Sequence, residues 1–254
     1  MFKTFKNDDE IAKNLALEIF NNLKKNKKLV LGCPGGRSLK KTYYYLGKLS
    51  YEVKISLDKL VIIMMDEYVI KHKGKFKLVN PKSHFSCVRF SRQVIKKLLN
   101  YKKNNSHSLK LENILFPDID NPKNYDKKIK KLGGIDIFLL ASGSSDGHVA
   151  FNNSNSKLNQ KTHITKLSKK TRLDNMKTFH NFNKLKEVPE YGLTVGLNTI
   201  FSLSKKAILV LSGKEKRKAA EIILNKKLFN RNWPATIIHK CNKKSIFIDK
   251  DAIN

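Results

Sequence analysis

The sequence predicts an α/β fold: one three-layer α/β/α domain spanning residues 1–254, with a mostly parallel, doubly wound sheet. Three observations predict it. Short apolar runs of strand length recur along the chain and are continuous rather than alternating, as strands buried on both faces require. Segments of helical periodicity lie between them. Glycine-rich or polar turns follow the apolar runs directly, at 33–38, 66–68, 142–148 and 212–216.

Taken in order, Asp8-Asp9-Glu10 can open a first helix, where acidic residues suit the positive end of the helix dipole. Ile11, Leu15, Ile19, Phe20 and Leu23 then fall on one face. Residues 28–32 read as a buried strand, followed by the turn Cys33-Pro34-Gly35-Gly36-Arg37-Ser38 and a helix over 39–49. A second strand covers 60–65 and ends in Asp66-Glu67-Tyr68. Residues 69–80 are polar and basic and read as a loop, and 83–99 as a helix. Gly133-Gly134 introduces a strand over 135–141 that runs into Ser142-Gly143-Ser144-Ser145-Asp146-Gly147-His148. Further strands are expected at 191–196, 207–213, 235–239 and 245–248, with a basic helix over 214–224. The pattern is Rossmann-like, and in such sheets ligands bind beyond the carboxyl ends of the strands.

Composition narrows the partners. The 254 residues hold 52 Lys+Arg against 21 Asp+Glu, a formal charge of +31. The lysines are spread over the whole chain, with no aromatic-interleaved basic stripe, so nucleic acid is not the expected partner. A positive field favours a phosphorylated small molecule. No apolar run approaches the length of a membrane span, and the first ten residues carry no secretory core. Cys33, Cys87 and Cys241 are odd in number and far apart, fitting neither a disulfide framework nor a zinc site. Packing, or no role, is assigned to them, and the reducing cytoplasm is the expected location. The sequence locates no interface, so a homo-oligomer stays open.

Four features carry chemistry. The turn Gly35-Gly36-Arg37-Ser38 can close around an anion at a helix start, or be an ordinary strand-to-helix turn. Asp66 and Glu67 stand at the mouth of a buried strand. A carboxylate there is a base for a proton beside a carbonyl, or else a helix cap or ion-pair member. Asp146-Gly147-His148 sets a carboxylate two residues from an imidazole suited to proton transfer; Asp146 can orient it or act itself. Arg172 and Lys216 are candidate phosphate contacts, against the plain reading of solvated basic runs.

Together these residues resemble the glucosamine-6-phosphate deaminase/6-phosphogluconolactonase superfamily over nearly the whole chain. The resemblance rests on an ordered series: the Gly-Gly turn, Met65-Asp66-Glu67-Tyr68-Val69, the segment 80–86, Asp146-Gly147-His148-Val149-Ala150-Phe151-Asn152, Thr171-Arg172 with Asn175, Val188-Pro189, residues 193–200, and Gly213-Lys214-Glu215-Lys216. Most of it is similar to the deaminase/isomerase branch; Pro34-Gly35-Gly36-Arg37-Ser38 is closer to the lactonase branch. The resemblance implies phosphate held by Gly35, Gly36, Arg37, Ser38, Arg172 and Lys216. It implies ring opening by His148, a proton shuttle between C2 and C1 by Asp66, and no metal or organic cofactor. An amino-sugar 6-phosphate would give a ketose 6-phosphate and ammonia. The alternatives are a sugar-phosphate lactonase, or a weakened sugar-phosphate binder. Three departures stand out. Asn153 replaces the glutamate that pairs with the histidine; an asparagine cannot supply its charge but can orient the ring. His163 and Thr165 stand where allosteric members carry basic residues. The 69–80 loop is longer than usual.

Overall fold

The computed structural model describes residues 2–26, 28–102 and 104–253, apart from the side chains of Arg37 and Asn105. In chain order the elements are β1 (Phe2–Phe5), α1 (Asp8–Lys25), β2 (Leu29–Cys33), α2 (Lys40–Glu52), β3 (Leu60–Met64), β4 (Asp66–His72), β5 (Lys75–Leu78), α3 (Cys87–Phe90) and α4 (Lys96–Leu99). They continue with β6 (Ile114–Leu115), α5 (Lys123–Lys131), β7 (Ile137–Ala141), β8 (His163–Lys166), α6 (Lys169–Thr178), β9 (Tyr191–Thr194), α7 (Leu197–Leu203), β10 (Lys206–Leu211), α8 (Arg217–Asn225), β11 (Lys243–Asp249) and α9 (Lys250–Ile253).

Seven strands form one sheet in the order β1-β11-β10-β7-β2-β3-β6, and every pairing is parallel. The two-residue period of a strand sends alternate side chains to opposite faces. Leu29, Leu31, Leu60, Ile62, Ile137 and Leu139 pack with Ile11, Leu15 and Ile19 of α1 and with Tyr43 and Leu46 of α2. Val30, Val61, Ile63, Phe138 and Leu140 pack on the other face with Ile129 of α5, Ile200 of α7 and Ile223 of α8. These are the three layers. Helix α1 starts as its sequence suggests, except that Asn7 is the cap: its side chain accepts from the Glu10 amide at 3.0 Å, and Asp8, Asp9 and Glu10 fill the first turn.

A second sheet, β5-β4-β9-β8, is antiparallel throughout and covers one side of the strand ends. Strand β4 follows β3 after a single residue, Met65. Its amide donates to the Cys33 carbonyl of the large sheet at 3.3 Å, and its carbonyl accepts from Val195, just past β9 of the small one, at 2.8 Å.

Three expectations are corrected, and one strand is added. The loop at 69–80 is largely the β4–β5 hairpin, turned at Lys73 and Gly74, both with positive φ. Residues 191–194 form a strand, but in the small sheet. The apolar segment at 235–239 lies in a 3-10 helix, Pro234–Lys240, whose Ala235, Ile237 and Ile238 are buried against the large sheet. The chain also opens with β1, an edge strand beside β11 that its four residues did not announce. Among the described residues no helix is long and apolar enough to cross a membrane.

Candidate active site

A cleft of about 1090 Å³ lies beyond the carboxyl ends of β2, β7 and β10 and beside the start of β4. Gly35, Gly36, Ser38, Asp66, Ser142, His148 and Lys216 all line it. The topology dictates this: parallel strands end on the same side, so their following turns converge.

Asp66 and Glu67 are both buried and have opposite surroundings. Glu67 Oε1 accepts from the amides of Tyr68 at 2.7 Å and Cys87 at 3.0 Å; Oε2 accepts from Ser86 Oγ at 2.7 Å and the Val88 amide at 2.9 Å. It closes the first turn of α3 beside the Ser86 cap, so of the sequence readings it fills the helix-capping role rather than that of a base. Asp66 points the other way, as adjacent strand residues must. The one side-chain hydrogen bond given to its carboxylate among the described residues comes from Cys87 Sγ, 3.4 Å from Oδ1. Tyr68 beside it stacks within a wall of Phe85, Phe151 and Phe179. Burial, with the Glu67 charge adding to it, pushes the Asp66 carboxyl up to about 7, against the opposing pull of Cys87 and His148. Gly35 has to be glycine, because a Cβ there would stand 2.6 Å from Cys87 Sγ and 3.2 Å from Asp66 Oδ1.

The loop after β7 is pinned on three sides. Lys216 Nζ donates to the Ser142 carbonyl at 2.7 Å and Ser144 Oγ at 3.0 Å, and burial holds its amine below the usual lysine range. Ser145 Oγ donates to Asp174 Oδ1 of α6 at 2.5 Å. Asp146 Oδ2 accepts from Ser168 Oγ at 2.6 Å and Thr171 Oγ1 at 2.8 Å, at the start of α6. Asp146 Oδ1 lies 2.7 Å from His148 Nδ1. Burial opposes ionisation of Asp146, but His148 and the two hydroxyls outweigh it and hold the carboxyl well below the usual range. The pair fixes Nδ1 as a donor, which leaves Nε2 to exchange protons. Gly143 passes so close beneath the imidazole that any side chain there would strike Nδ1.

Two sequence candidates fall elsewhere. Asn153 is buried away from His148: Nδ2 donates to the Lys166 carbonyl at 3.0 Å and Oδ1 accepts from the Asn155 amide at 2.9 Å, so it ties its own turn to β8. Asp146, not Asn153, orients the imidazole. Arg172 is not in the cleft lining; Nη2 donates to the carbonyls of Leu185 at 2.6 Å and Val188 at 2.8 Å, and Nε to Val188 at 3.2 Å. Its guanidinium holds the chain after α6. The Arg37 side chain lies outside the described residues.

Sequence reasoning missed Cys87, Ser168, Thr171, Asp174 and Asn175. None has local chemistry to flag a site role, although Thr171 and Asn175 belonged to the ordered series and Cys87 was assigned to packing. Asn175 lines the cleft, and its buried Nδ2 has no partner among the described residues. Asp146, His148 and Asp174 bring ligand atoms within 4.8 Å of one another. Their neighbours already supply Asp146 and Asp174 with donors, so the group reads as a hydrogen-bond network.

The chain matches the model of the family described as glucosamine-6-phosphate isomerases/6-phosphogluconolactonase over residues 6–247. It is 30% identical over 246 residues to the glucosamine-6-phosphate deaminase of Mycoplasma mycoides, covering 97% of this chain and 93% of the relative. It is 31% identical over 252 residues to that of Dictyostelium discoideum, covering 96% and 86%. Among solved structures, a monomeric glucosamine-6-phosphate deaminase superposes with a TM-score of 0.82 at 24% identity, covering 99% of this chain and 98% of that one. The 6-phosphogluconolactonase of Thermotoga maritima gives 0.69 at 17%, covering 98% of each. With the strand-end cleft and its paired carboxylate and imidazole, these matches establish that the chain belongs to the glucosamine-6-phosphate isomerase/6-phosphogluconolactonase family.

Proposed function

We propose that this enzyme converts an amino-hexose 6-phosphate to a ketose 6-phosphate with release of ammonia. The observation that carries the reading is Asp66: a buried carboxyl pushed up to about 7, in the same cleft as a carboxylate-held imidazole. A base near neutrality suits proton abstraction beside a carbonyl. The phosphate sits against the Gly35–Gly36 turn, Ser38 and Lys216. His148 Nε2 gives a proton to the ring oxygen and takes up the proton that leaves the C1 hydroxyl, which opens the ring to the aldehyde. Asp66 then removes the C2 proton; the electron pair forms the C1–C2 double bond, the carbonyl pair moves to O1, and O1 takes the proton back from His148, giving an enolamine. The same carboxyl returns the proton to C1. The resulting C2 imine adds water and expels ammonia, leaving the ketone.

The near-full-length deaminase relatives support this over lactone hydrolysis, to which the lactonase likeness extends at lower identity. The test is ammonia release from glucosamine 6-phosphate and galactosamine 6-phosphate, with 6-phosphogluconolactone in a parallel arm. Ammonia from the parent enzyme and none from Asp66→Asn is expected. Turnover of the lactone alone, or undiminished ammonia from Asp66→Asn, sinks the reading.

A further inference from the structure

We propose that Cys87 is a positioning residue for Asp66, its thiol donating to Oδ1 and leaving Oδ2 as the oxygen that moves the substrate proton. The inference rests on the proton-shuttle reading above and deepens it.

The contrast between neighbours is the starting point. Glu67 has four donors and is fixed as a structural carboxylate. Asp66 is likewise buried, and among the described residues it takes one side-chain donor, the thiol 3.4 Å from Oδ1. A thiol is a weak donor. It sets the carboxylate's orientation without stabilising the anion enough to remove its basicity. A second or stronger donor would drain that basicity, and no donor would leave the carboxylate free to rotate against the aromatic wall.

The thiol itself is held in place. The Cys87 amide donates to Glu67 Oε1 at 3.0 Å, which locks its backbone to the strand that carries Asp66. On the other side the bare Cα of Gly35 leaves just enough room for the sulfur. Burial and the two carboxylates push the Cys87 thiol far above its usual range, so it stays protonated and can only donate. The reactive-cysteine reading, which needs a thiolate, is excluded by the same surroundings.

The test is the pH profile of kcat for Cys87→Ala and Cys87→Ser beside the parent and Asp66→Asn. A bond to the charged form favours that form. Its loss in Cys87→Ala raises the Asp66 titration, so the acid limb moves to higher pH by about half a unit, about a threefold loss of rate on that limb. KM stays where it was, because Cys87 does not hold the phosphosugar. Cys87→Ser, which keeps a donor, restores the limb. A Cys87→Ala profile that superimposes on the parent, or a change confined to KM, overturns the proposal. An infrared measurement reads the contact without turnover. The S–H stretch that Cys87→Ala removes should shift as Asp66 ionises, and should stop shifting in Asp66→Asn. A band indifferent to pH in the parent refutes the contact. Undiminished turnover by Asp66→Asn with a responsive band refutes the proton shuttle instead.

Discussion

Replacing Asp66 by asparagine should stabilise the fold while abolishing turnover, and the gain should depend on pH. The carboxyl rises from an ordinary 3.8 to about 7 because folding takes it out of water. Each unit of displacement is about 1.4 kcal/mol, so the ionised group costs the folded state about 4 kcal/mol. Below pH 3.8 the group is protonated in both states and costs nothing. Between 3.8 and about 7 the unfolded chain ionises while the folded one keeps its proton, so stability falls as pH rises. Above about 7 the cost is complete. Asparagine has no such titration and nearly the same volume. The stability of Asp66→Asn relative to the parent should therefore grow by about 3 kcal/mol between about pH 5 and pH 8. Urea unfolding at fixed ionic strength measures it, and taking the difference cancels the self-repulsion of a chain with a charge of +31. A gap that stays constant across this range would refute the claim that burial tunes Asp66.

Three other outcomes follow from the same geometry. Asp146→Asn keeps the size of the side chain but loses the charge that holds His148 Nδ1 and receives two hydroxyls. Its kcat should fall about 100-fold with KM little moved, read by steady-state ammonia release. Gly143→Ala drives a methyl into the imidazole; thermal unfolding should show a loss of about 1–3 kcal/mol, accompanied by a lower kcat. Arg172→Ala removes three hydrogen bonds to the carbonyls of Leu185 and Val188. It should cost on the order of 2 kcal/mol and leave phosphosugar affinity, measured by calorimetry, close to the parent's. A large loss of affinity without destabilisation would return Arg172 to the phosphate.

The parallel sheet could be read from the chain because strands buried on both faces must be continuously apolar. Residues 60–64 and 137–140 admit no other economical placement. The β4–β5 hairpin escaped because its outer half alternates lysine with Phe76 and Leu78, an alternation hidden in a lysine-rich background. Its turn pair, Lys73-Gly74, was a usable signal. The segment 235–239 misled because a short apolar run has no period, so burial alone cannot separate strand from helix. At the site, Asp66, Asp146 and His148 were legible because each lies in the short stretch beyond a buried strand of the large sheet, where the ligand site of such a sheet is expected. Asn153 and Arg172 were misplaced for the opposite reason. Their partners are backbone groups of other segments, the Lys166 carbonyl and Asn155 amide for Asn153 and the Leu185 and Val188 carbonyls for Arg172, and nothing local in a sequence says where such groups will point. Cys87 lies 21 residues from Asp66, and the two meet only because β4 and α3 pack together around Glu67.

The single residue between β3 and β4 has a mechanical meaning. Asp66 belongs to the small sheet, while His148 is carried by the large one through the loop after β7. Met65 is bolted to both, through the Cys33 carbonyl and the Val195 amide. The gap between Asp66 and His148 is thus a measure of how the two sheets are seated, not of either side chain's freedom. A load that opened this seam would draw Asp66 away from His148, and it would be borne by the Met65 bonds and by the Ser168 and Thr171 hydroxyls that hold Asp146 just after β8. The seating of the two sheets, rather than either side chain alone, therefore sets the distance across the cleft.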